Sequence, residues 1–169
     1  MYWYALLIAA VAVERIAELV VSQRNLTWSR ARGGEEFGAA HYPVMVGLHT
    51  ALLAGCLVEA VGFQRPFLPA LGWPMLAVVL AAQGLRWWCI ATLGPQWNTR
   101  VVVVPDASRV TAGPYRFVAH PNYVAVVLEG AALPLVHTAW VTAVTFTALN
   151  AALLTTRIRV ENEALARLR

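Results

Sequence analysis

Long apolar stretches, separated by short polar segments, dominate the chain. A helix needs roughly 20 mostly apolar residues to cross a bilayer, and five stretches reach or approach that length. They are residues 2–21, 43–63, 71–93, 122–136 and 139–156. The fourth is short, and Pro134 with His137 and Thr138 predicts a tight turn into the fifth. The pattern predicts an all-α integral membrane protein, one domain over residues 1–169 with about five transmembrane helices, a loop before the fourth of them and a C-terminal helix after the fifth.

The first stretch also has the length of a secretory signal peptide. It lacks the positively charged start of such a peptide, and its second half contains Glu14, Arg15 and Glu18. A transmembrane helix is therefore the favoured interpretation of residues 2–21.

Composition and charge agree with a membrane protein. Hydrophobic residues make up 59% of the chain and the mean hydropathy is +0.59, both higher than a soluble fold needs. Charged residues make up only 13%. The net charge of +4 alone would suggest nucleic acid, but the positions of the arginines indicate membrane topology instead. Because the arginines follow the first, third and fifth stretches, and only Arg65 lies on the opposite side, the positive-inside rule predicts an outer N-terminus and a cytoplasmic C-terminus. The arginines on the predicted cytoplasmic side are Arg24, Arg30, Arg32, Arg100, Arg109, Arg116, Arg157, Arg159, Arg167 and Arg169. We expect a multi-pass protein of the cell membrane with no nucleic-acid partner, and its oligomeric state stays open.

Six ionisable residues lie inside the predicted spans, where an unpaired charge is costly. In the predicted orientation they fall in the cytoplasmic half of the membrane, which predicts a cavity that opens toward the cytoplasm. The alternative is a set of structural pairs, with Arg15 bound to Glu18 and Arg86 bound to Glu129 or Glu14. The six are Glu14, Arg15, Glu18, His49, Arg86 and Glu129.

A metal site is not expected. His41 and His49 are eight residues apart without a cysteine or a close carboxylate partner, which favours a role in lining a pocket. Cys56 and Cys89 each lie inside an apolar stretch, so neither a disulfide framework nor a cysteine-rich metal site is predicted.

The polar segment 97–123 precedes the fourth stretch and ends with the sequence His-Pro-Asn-Tyr. Pro121 suits the first turn of a helix, and the N–H groups at a helix N-terminus can bind an anion or a polar ligand. The simpler alternative is a helix that starts at a proline, with His120 as its cap. Taken alone, Arg157 and Glu161, one helical turn apart, predict a salt-bridged helix end.

Together, the segments GPYRFVAHPNY (113–123) and RIRVENEALARLR (157–169) resemble the isoprenylcysteine carboxyl methyltransferase family. In that family a G-x-Y-x-x-x-R-H-P-x-Y segment and a C-terminal R-x-x-x-E pair enclose S-adenosylmethionine. The resemblance covers residues 83–169. Within the family the chain looks most like the bacterial branch that O-methylates alkylresorcinols and alkylpyrones, lipophilic products of type III polyketide synthases.

The resemblance implies a role for each matching residue. Arg157 would face the acceptor. Independently of the resemblance, a phenol acceptor would gain from a general base, and His49, His41 or Glu129 could reach into the predicted cavity to serve as one, a choice that stays open. The family's arginine before His-Pro is Ala119 here, which favours a neutral phenol or enol acceptor over a carboxylate unless Arg100 or Arg116 replaces it. The residues expected to contact S-adenosylmethionine are Val110, Tyr115, His120, Pro121, Asn122, Tyr123 and Glu161, and the second glutamate of the family pair is Asn162.

Two other functions remain alternatives. One keeps the fold and methylates the carboxyl group of an isoprenylcysteine-like substrate. The other is a small membrane transporter or structural protein in which the buried charges form a permeation path or join helices. A soluble Rossmann methyltransferase is excluded because the chain has neither G-x-G-x-x-G nor alternating strands and helices.

Overall fold

The computed structural model describes residues 2–105 and 107–166 as a bundle of five helices with one small sheet. An all-α membrane fold is thereby confirmed. The helices are α1 (Tyr2–Arg30), α2 (His41–Leu57, extended by a π-helical turn at Val58–Gly62), α3 (Pro69–Leu93), α4 (Pro121–Leu135) and α5 (Trp140–Ala166). Two strands, β1 (Glu35–Phe37) and β2 (Val101–Val103), pair antiparallel, and short 3₁₀ turns lie at Gly94–Gln96 and Gly113–Arg116.

Three helical segments are long and apolar enough to cross a membrane: His41–Gly62, Pro69–Gln96 and Trp140–Ala166. α1 and α4 are not among these segments. α4 has only 15 residues, and α1 contains several charged residues, among them Glu18. On α1, however, Leu6, Val13 and Ile16 are more than half exposed while Glu18 is buried. This arrangement, with apolar residues outside and charge inside, is the reverse of a helix in water.

The bundle core surrounds the short helix α4. The Tyr4 hydroxyl donates a hydrogen bond of 2.9 Å to the Leu133 carbonyl and joins α1 to α4. Gly130 of α4 faces the ring of Phe146 on α5, so closely that a Cβ atom there would overlap the ring. α4 is therefore packed closely against α5 at Gly130 and joined to α1 one turn later at Leu133.

One predicted boundary is wrong. α1 does not end at residue 21 but continues to Arg30, because its buried face continues through Ser22, Leu26 and Ser29 at helical spacing. α5 runs without a break from Trp140 past residue 156 to Ala166, so the predicted C-terminal helix is a continuation of the fifth span. Arg167 and Arg169, which the topology prediction uses, lie outside the described residues.

The bundle has two different ends. We call the end with residues 63–68 and 136–139 the turn end; there the predicted turn between the fourth and fifth spans is confirmed, with Thr138 at a φ of 54°. We call the opposite end, with residues 31–40 and 94–120, the loop end. The small sheet lies at the loop end, where Glu35 pairs with Val103.

Candidate functional site

A cavity of about 570 Å³ is formed by α1, α2 and α5, and it reaches the loop end. On α1 its lining residues run from Ala5 to Leu19, a distance of about 21 Å at the 1.5 Å rise of an α-helix. Toward the turn end the lining is apolar, with Ala5, Ile8 and Leu57. Toward the loop end it is polar, with Asn98, Thr99, Arg100, Tyr115, His120, Asn122, Tyr123, Arg157 and Glu161.

The N-terminus of α4 and the last third of α5 meet at the polar end of this cavity. The Tyr123 hydroxyl donates a hydrogen bond of 2.6 Å to Glu161 Oε2, and His120 Nδ1 lies 3.4 Å from Glu161 Oε1. His120 Nε2 lies 3.2 Å from Asn162 Oδ1. Pro121 occupies the first turn of α4 and His120 is the N-cap residue, as the simpler alternative predicts, but the His120 side chain makes no capping hydrogen bond.

The contacts of His120 at this corner change the pKa of its imidazole. Its hydrogen bond to Glu161 and the negative charge of that carboxylate raise the pKa of the imidazole above its ordinary value, against the opposing effect of partial burial. Both ring nitrogens face oxygen atoms of Glu161 and Asn162, an arrangement that suits the doubly protonated ring. The corner therefore holds a histidine–glutamate pair that is charged on both partners below the raised pKa of the imidazole.

Arg157 is buried and belongs to a different set of contacts. Its guanidinium donates a hydrogen bond of 2.8 Å to the Thr99 carbonyl, and its Cζ lies 6.0 Å from the centre of the Tyr123 ring. Arg157 Nε is buried without a hydrogen-bond partner. Within the described residues Arg157 and Glu161 form no ion pair, so the salt-bridged helix end is not what the structure contains.

The loop 97–100 is fixed by the extended part of α1. The Ser22 hydroxyl lies 2.8 Å from both Asn98 Oδ1 and Thr99 Oγ1, and Asn25 donates a hydrogen bond of 2.7 Å to the Trp97 carbonyl. These contacts were not predicted, because the first apolar stretch ends at residue 21 and Ser22 and Asn25 lie beyond it. The regular spacing of polar residues after Glu18 on one helical face is the signal that would have revealed them.

A buried ion cluster joins α1, α3 and α4. Arg15 lies 2.9 Å from Glu18 and 3.2 Å from Glu129, and Arg86 binds Glu129 and lies 3.4 Å from Glu18. Two structural pairs predicted from sequence, Arg15 with Glu18 and Arg86 with Glu129, are thus confirmed. Glu14 instead accepts hydrogen bonds from Gln83 and Trp87.

The proposed bases occupy different positions. His49 lines the cavity; its Nδ1 donates a hydrogen bond to the Met45 carbonyl, 2.9 Å away, and its ring packs edge-on against Phe146. Glu129 is held by the two arginines and is absent from the described cavity lining, as is His41. Among residues 2–105 and 107–166 no group of histidine, cysteine or acidic side chains is arranged to bind a metal.

The other residues predicted for the site also lie partly inside and partly outside the described cavity lining. Val110 is half-buried in the loop and Pro121 is buried, and neither is part of the described lining. Arg100 reaches the cavity while bound to Glu36 at 2.7 Å, and its guanidinium lies 3.8 Å from the centre of the Tyr42 ring. Arg116 packs on Phe117 outside the described lining. Of the two possible replacements for the arginine missing at Ala119, Arg100 alone therefore faces the described cavity.

Comparisons with known proteins agree with this geometry. The model of the isoprenylcysteine carboxyl methyltransferase (ICMT) family matches residues 75–167, which include α4, α5 and the loop before them. The chain is also 39% identical over 166 residues to the uncharacterized protein YpbQ of Bacillus subtilis (strain 168), covering 98% of this chain and 96% of that protein. No solved structure matches the chain. Because the family model spans more than half of the chain and includes the polar corner of Tyr123 and Glu161, the protein belongs to the isoprenylcysteine carboxyl methyltransferase family, a family of membrane methyltransferases.

Proposed function

We propose that this protein is an S-adenosylmethionine-dependent O-methyltransferase that acts on a lipophilic hydroxylated acceptor such as an alkylresorcinol or alkylpyrone. The observation that carries the proposal is one cavity with two chemically different ends. The polar end, with His120, Tyr123 and Glu161, suits a water-soluble cofactor. The apolar end, which reaches Ala5 and Leu57, suits a hydrocarbon tail.

The residues at the polar end fit S-adenosylmethionine, which when bound supplies the sulfonium methyl group. Glu161 offers a carboxylate for ribose hydroxyls or for the amino group, and the rings of Tyr115, His120 and Tyr123 offer faces for the adenine and the sulfonium charge. Asn122 Oδ1 is buried without a hydrogen-bond partner and is free to accept one from the cofactor. In this proposal Pro121 acts by fixing the start of α4, and Val110 borders the cofactor from the preceding loop.

Three residues have roles on the acceptor side of the proposed site. Arg157 orients the reacting oxygen, since it lies on the cavity wall with an unused Nε donor. His49 contacts the acceptor from α2, because its bond to Met45 places the proton on Nδ1 and leaves Nε2 as a hydrogen-bond acceptor in the neutral ring. Glu129 acts indirectly, by holding Arg15 and Arg86 in place. Methyl transfer is mainly a matter of such positioning.

Carboxyl methylation of an isoprenylcysteine-like substrate is the second candidate. The presence of Arg100 and Arg157 on the cavity wall favours it, because a guanidinium group binds a carboxylate well. The pairing of Arg100 with Glu36 weakens this argument and favours the neutral acceptor.

For topology we propose five membrane passes with the N-terminus outside and the C-terminus in the cytoplasm. The exposed apolar residues of α1 support a membrane position for that helix. The arginines at the loop end support a cytoplasmic location for the polar end of the cavity.

Calorimetric titration of S-adenosylhomocysteine into the purified full-length protein tests the cofactor assignment. We expect saturable binding that Glu161→Gln weakens and that Glu163→Gln, on the exposed side of the same helix, leaves unchanged. Absence of saturable binding would overturn both methyltransferase candidates. The mass of the product formed from membrane extract and labelled cofactor then distinguishes a methyl ether from a methyl ester.

A further inference from the structure

Glu18 is a buried carboxylate on the cavity wall that no function yet explains. The residue is 4% exposed, its Oε2 lies 2.9 Å from Arg15, and its Oε1 lies 3.4 Å from Arg86 Nε without accepting a hydrogen bond. The acidic residues of the described lining are Glu18 and Glu161, and Glu161 accepts a hydrogen bond from Tyr123 and faces His120. Glu18 is thus the carboxylate of this lining whose Oε1 still lacks a hydrogen-bond donor.

The ion cluster around Glu18 carries more negative than positive groups. Three carboxylates share two guanidinium groups, and burial makes such an imbalance costly. An anionic acceptor would increase the excess charge, whereas a neutral acceptor would not. A proton delivered to the cluster would balance it. The cluster consists of Glu14, Arg15, Glu18, Arg86 and Glu129, and the other titratable or charged groups that face the cavity from α2 and α5 are His49, Arg157 and Glu161.

Glu18 is also the carboxylate of the ion cluster that reaches the cavity. Glu18 is part of the described lining, whereas Glu14 and Glu129 are absent from it. One helical turn after Glu18, Ser22 bonds Thr99, whose carbonyl accepts the hydrogen bond from Arg157. Of the three carboxylates, Glu18 is therefore the one placed to meet the reacting oxygen.

We infer that Glu18 is the proton acceptor for a neutral, hydroxyl-bearing acceptor, an inference that rests on the proposed O-methyltransferase function. The acceptor O–H bond breaks and its proton passes to a Glu18 oxygen. The freed electron pair of the oxygen forms the bond to the methyl carbon, the carbon–sulfur bond breaks, and its electron pair stays on sulfur. The cluster then holds two carboxylates, one neutral carboxylic acid and two guanidinium groups, so its charges balance.

The kinetic test compares Glu18→Gln with Glu14→Gln in the full-length protein, using pentadecylresorcinol as the acceptor. Glu14 is the matched control because it lies one turn away on α1, bonds Gln83 and Trp87, and does not line the described cavity. We expect Glu18→Gln to lower kcat at least tenfold and to leave the affinity for S-adenosylhomocysteine unchanged. Its rate should rise only as the acceptor itself ionises, near the phenol pKa of about 10. Glu14→Gln leaves the carboxylate on the cavity wall in place and should lower kcat much less than Glu18→Gln.

An optical test needs no cofactor. A long-chain alkyl-nitrophenol absorbs differently as phenol and as phenolate, so its titration in the bound state reports the charge around it. We expect Glu18→Gln to lower the apparent pKa of the bound probe well below its value in the wild type, because Arg15 and Arg86 lose a competing carboxylate. Glu14→Gln should lower it less.

The outcomes separate the two proposals. If the wild type binds no S-adenosylhomocysteine, the proposed function fails. If the wild type binds it and methylates the acceptor, but Glu18→Gln retains the wild-type rate and pH profile, the inference about Glu18 is overturned. It is also overturned if His49→Gln, and not Glu18→Gln, removes the pH dependence. Should Glu18→Gln not fold, Glu18→Asp must show a lower rate with the wild-type pH profile.

Discussion

At the scale of single residues, two neighbours on α5 serve different partners. Glu161 faces the start of α4 through Tyr123 and His120, whereas Arg157 faces the loop after α3 through the Thr99 carbonyl. Their spacing of one helical turn would allow a surface ion pair worth only about 0.3 to 0.5 kcal/mol. In the structure, Glu161 instead contacts the start of α4 and Arg157 contacts the loop after α3, and both contacts lie at the polar end of the cavity.

Separate losses are expected when the two residues are changed. Glu161→Gln should weaken S-adenosylhomocysteine binding at least tenfold, since it removes the charged oxygens at the cofactor corner. Arg157→Gln should leave that binding near the wild-type value and lower kcat at least tenfold, about 1.4 kcal/mol of transition-state stabilisation. Calorimetry and initial rates measure the two effects.

Arg159→Gln is the matched control because Arg159 is exposed on the same helix. A double variant with Glu at 157 and Arg at 161 restores a possible salt bridge without restoring the site. Recovery of activity in that double variant would show that the two residues are structural.

His120 predicts a pH dependence of stability. Its pKa is raised by the hydrogen bond to Glu161, so its stabilising effect is fully present below the ordinary value of about 6.5 and is lost as the pH rises through the raised value. We expect the melting temperature of the wild type to fall toward that of His120→Gln over this interval. Glu161→Gln should remove the same dependence, because it removes the partner. Parallel pH curves for the wild type and His120→Gln would contradict the ion pair.

At the scale of elements, the spacing between α4 and α5 is set by one close contact. Gly130 leaves room for the ring of Phe146, and one turn later α4 is joined to α1 by the hydrogen bond from Tyr4 to the Leu133 carbonyl. Phe146 is 3% exposed and also contacts His49 on α2. Because the ring has contacts on both sides, it cannot move aside without disturbing the cavity wall.

Gly130→Ala should therefore destabilise the protein, by about 1 to 3 kcal/mol as is typical of overpacking a core. Gly84→Ala on α3 is the control, because nothing lies within 4 Å of an added Cβ atom there and alanine favours the helix. Thermal unfolding in detergent measures both changes. Equal stability of the two variants would mean that α4 and α5 are less closely packed than the structure indicates.

At the scale of the whole molecule, charge is distributed unequally between the two ends of the bundle. Arg65 at the turn end binds Glu59, and this carboxylate also accepts hydrogen bonds from the first backbone N–H groups of α5. Most of the arginines outside the spans instead belong to the loop end. An uneven distribution of this kind is typical of proteins whose arginine-rich end faces the cytoplasm.

Cysteine labelling tests the resulting topology. Ser108→Cys and Glu163→Cys, both exposed at the loop end, should react with a membrane-impermeant reagent only after the cells are opened. Phe63→Cys, exposed at the turn end, should react in intact cells. Background labelling should be low because Cys56 and Cys89 are buried. Labelling of the Ser108→Cys variant from outside intact cells would reverse the orientation and the proposed cytoplasmic cofactor site.

The helical architecture was largely predictable from the sequence. Apolar length alone placed α2 with its π-helical turn, α3 and α4 within two residues of their observed ends, and the proline and polar residues before α5 indicated its turn. The extension of α1 was not predicted, since polar residues begin after residue 21. In α1 and in α5 the buried face continues past the apolar stretch, through Ser22 in α1 and Arg157 in α5.

The sequence by itself determined the residue types of the site, because the His-Pro-Asn-Tyr segment and the Arg157–Glu161 spacing are local patterns. Only the tertiary structure decided which of these residues meet. It joined Glu161 to Tyr123 across 38 positions and Arg157 to Thr99 across 58, and it placed Glu18 on the cavity wall and Glu129 behind the arginines. The physical reason is that periodicity fixes the face of a helix on which a residue lies, whereas its partner depends on how the helices pack.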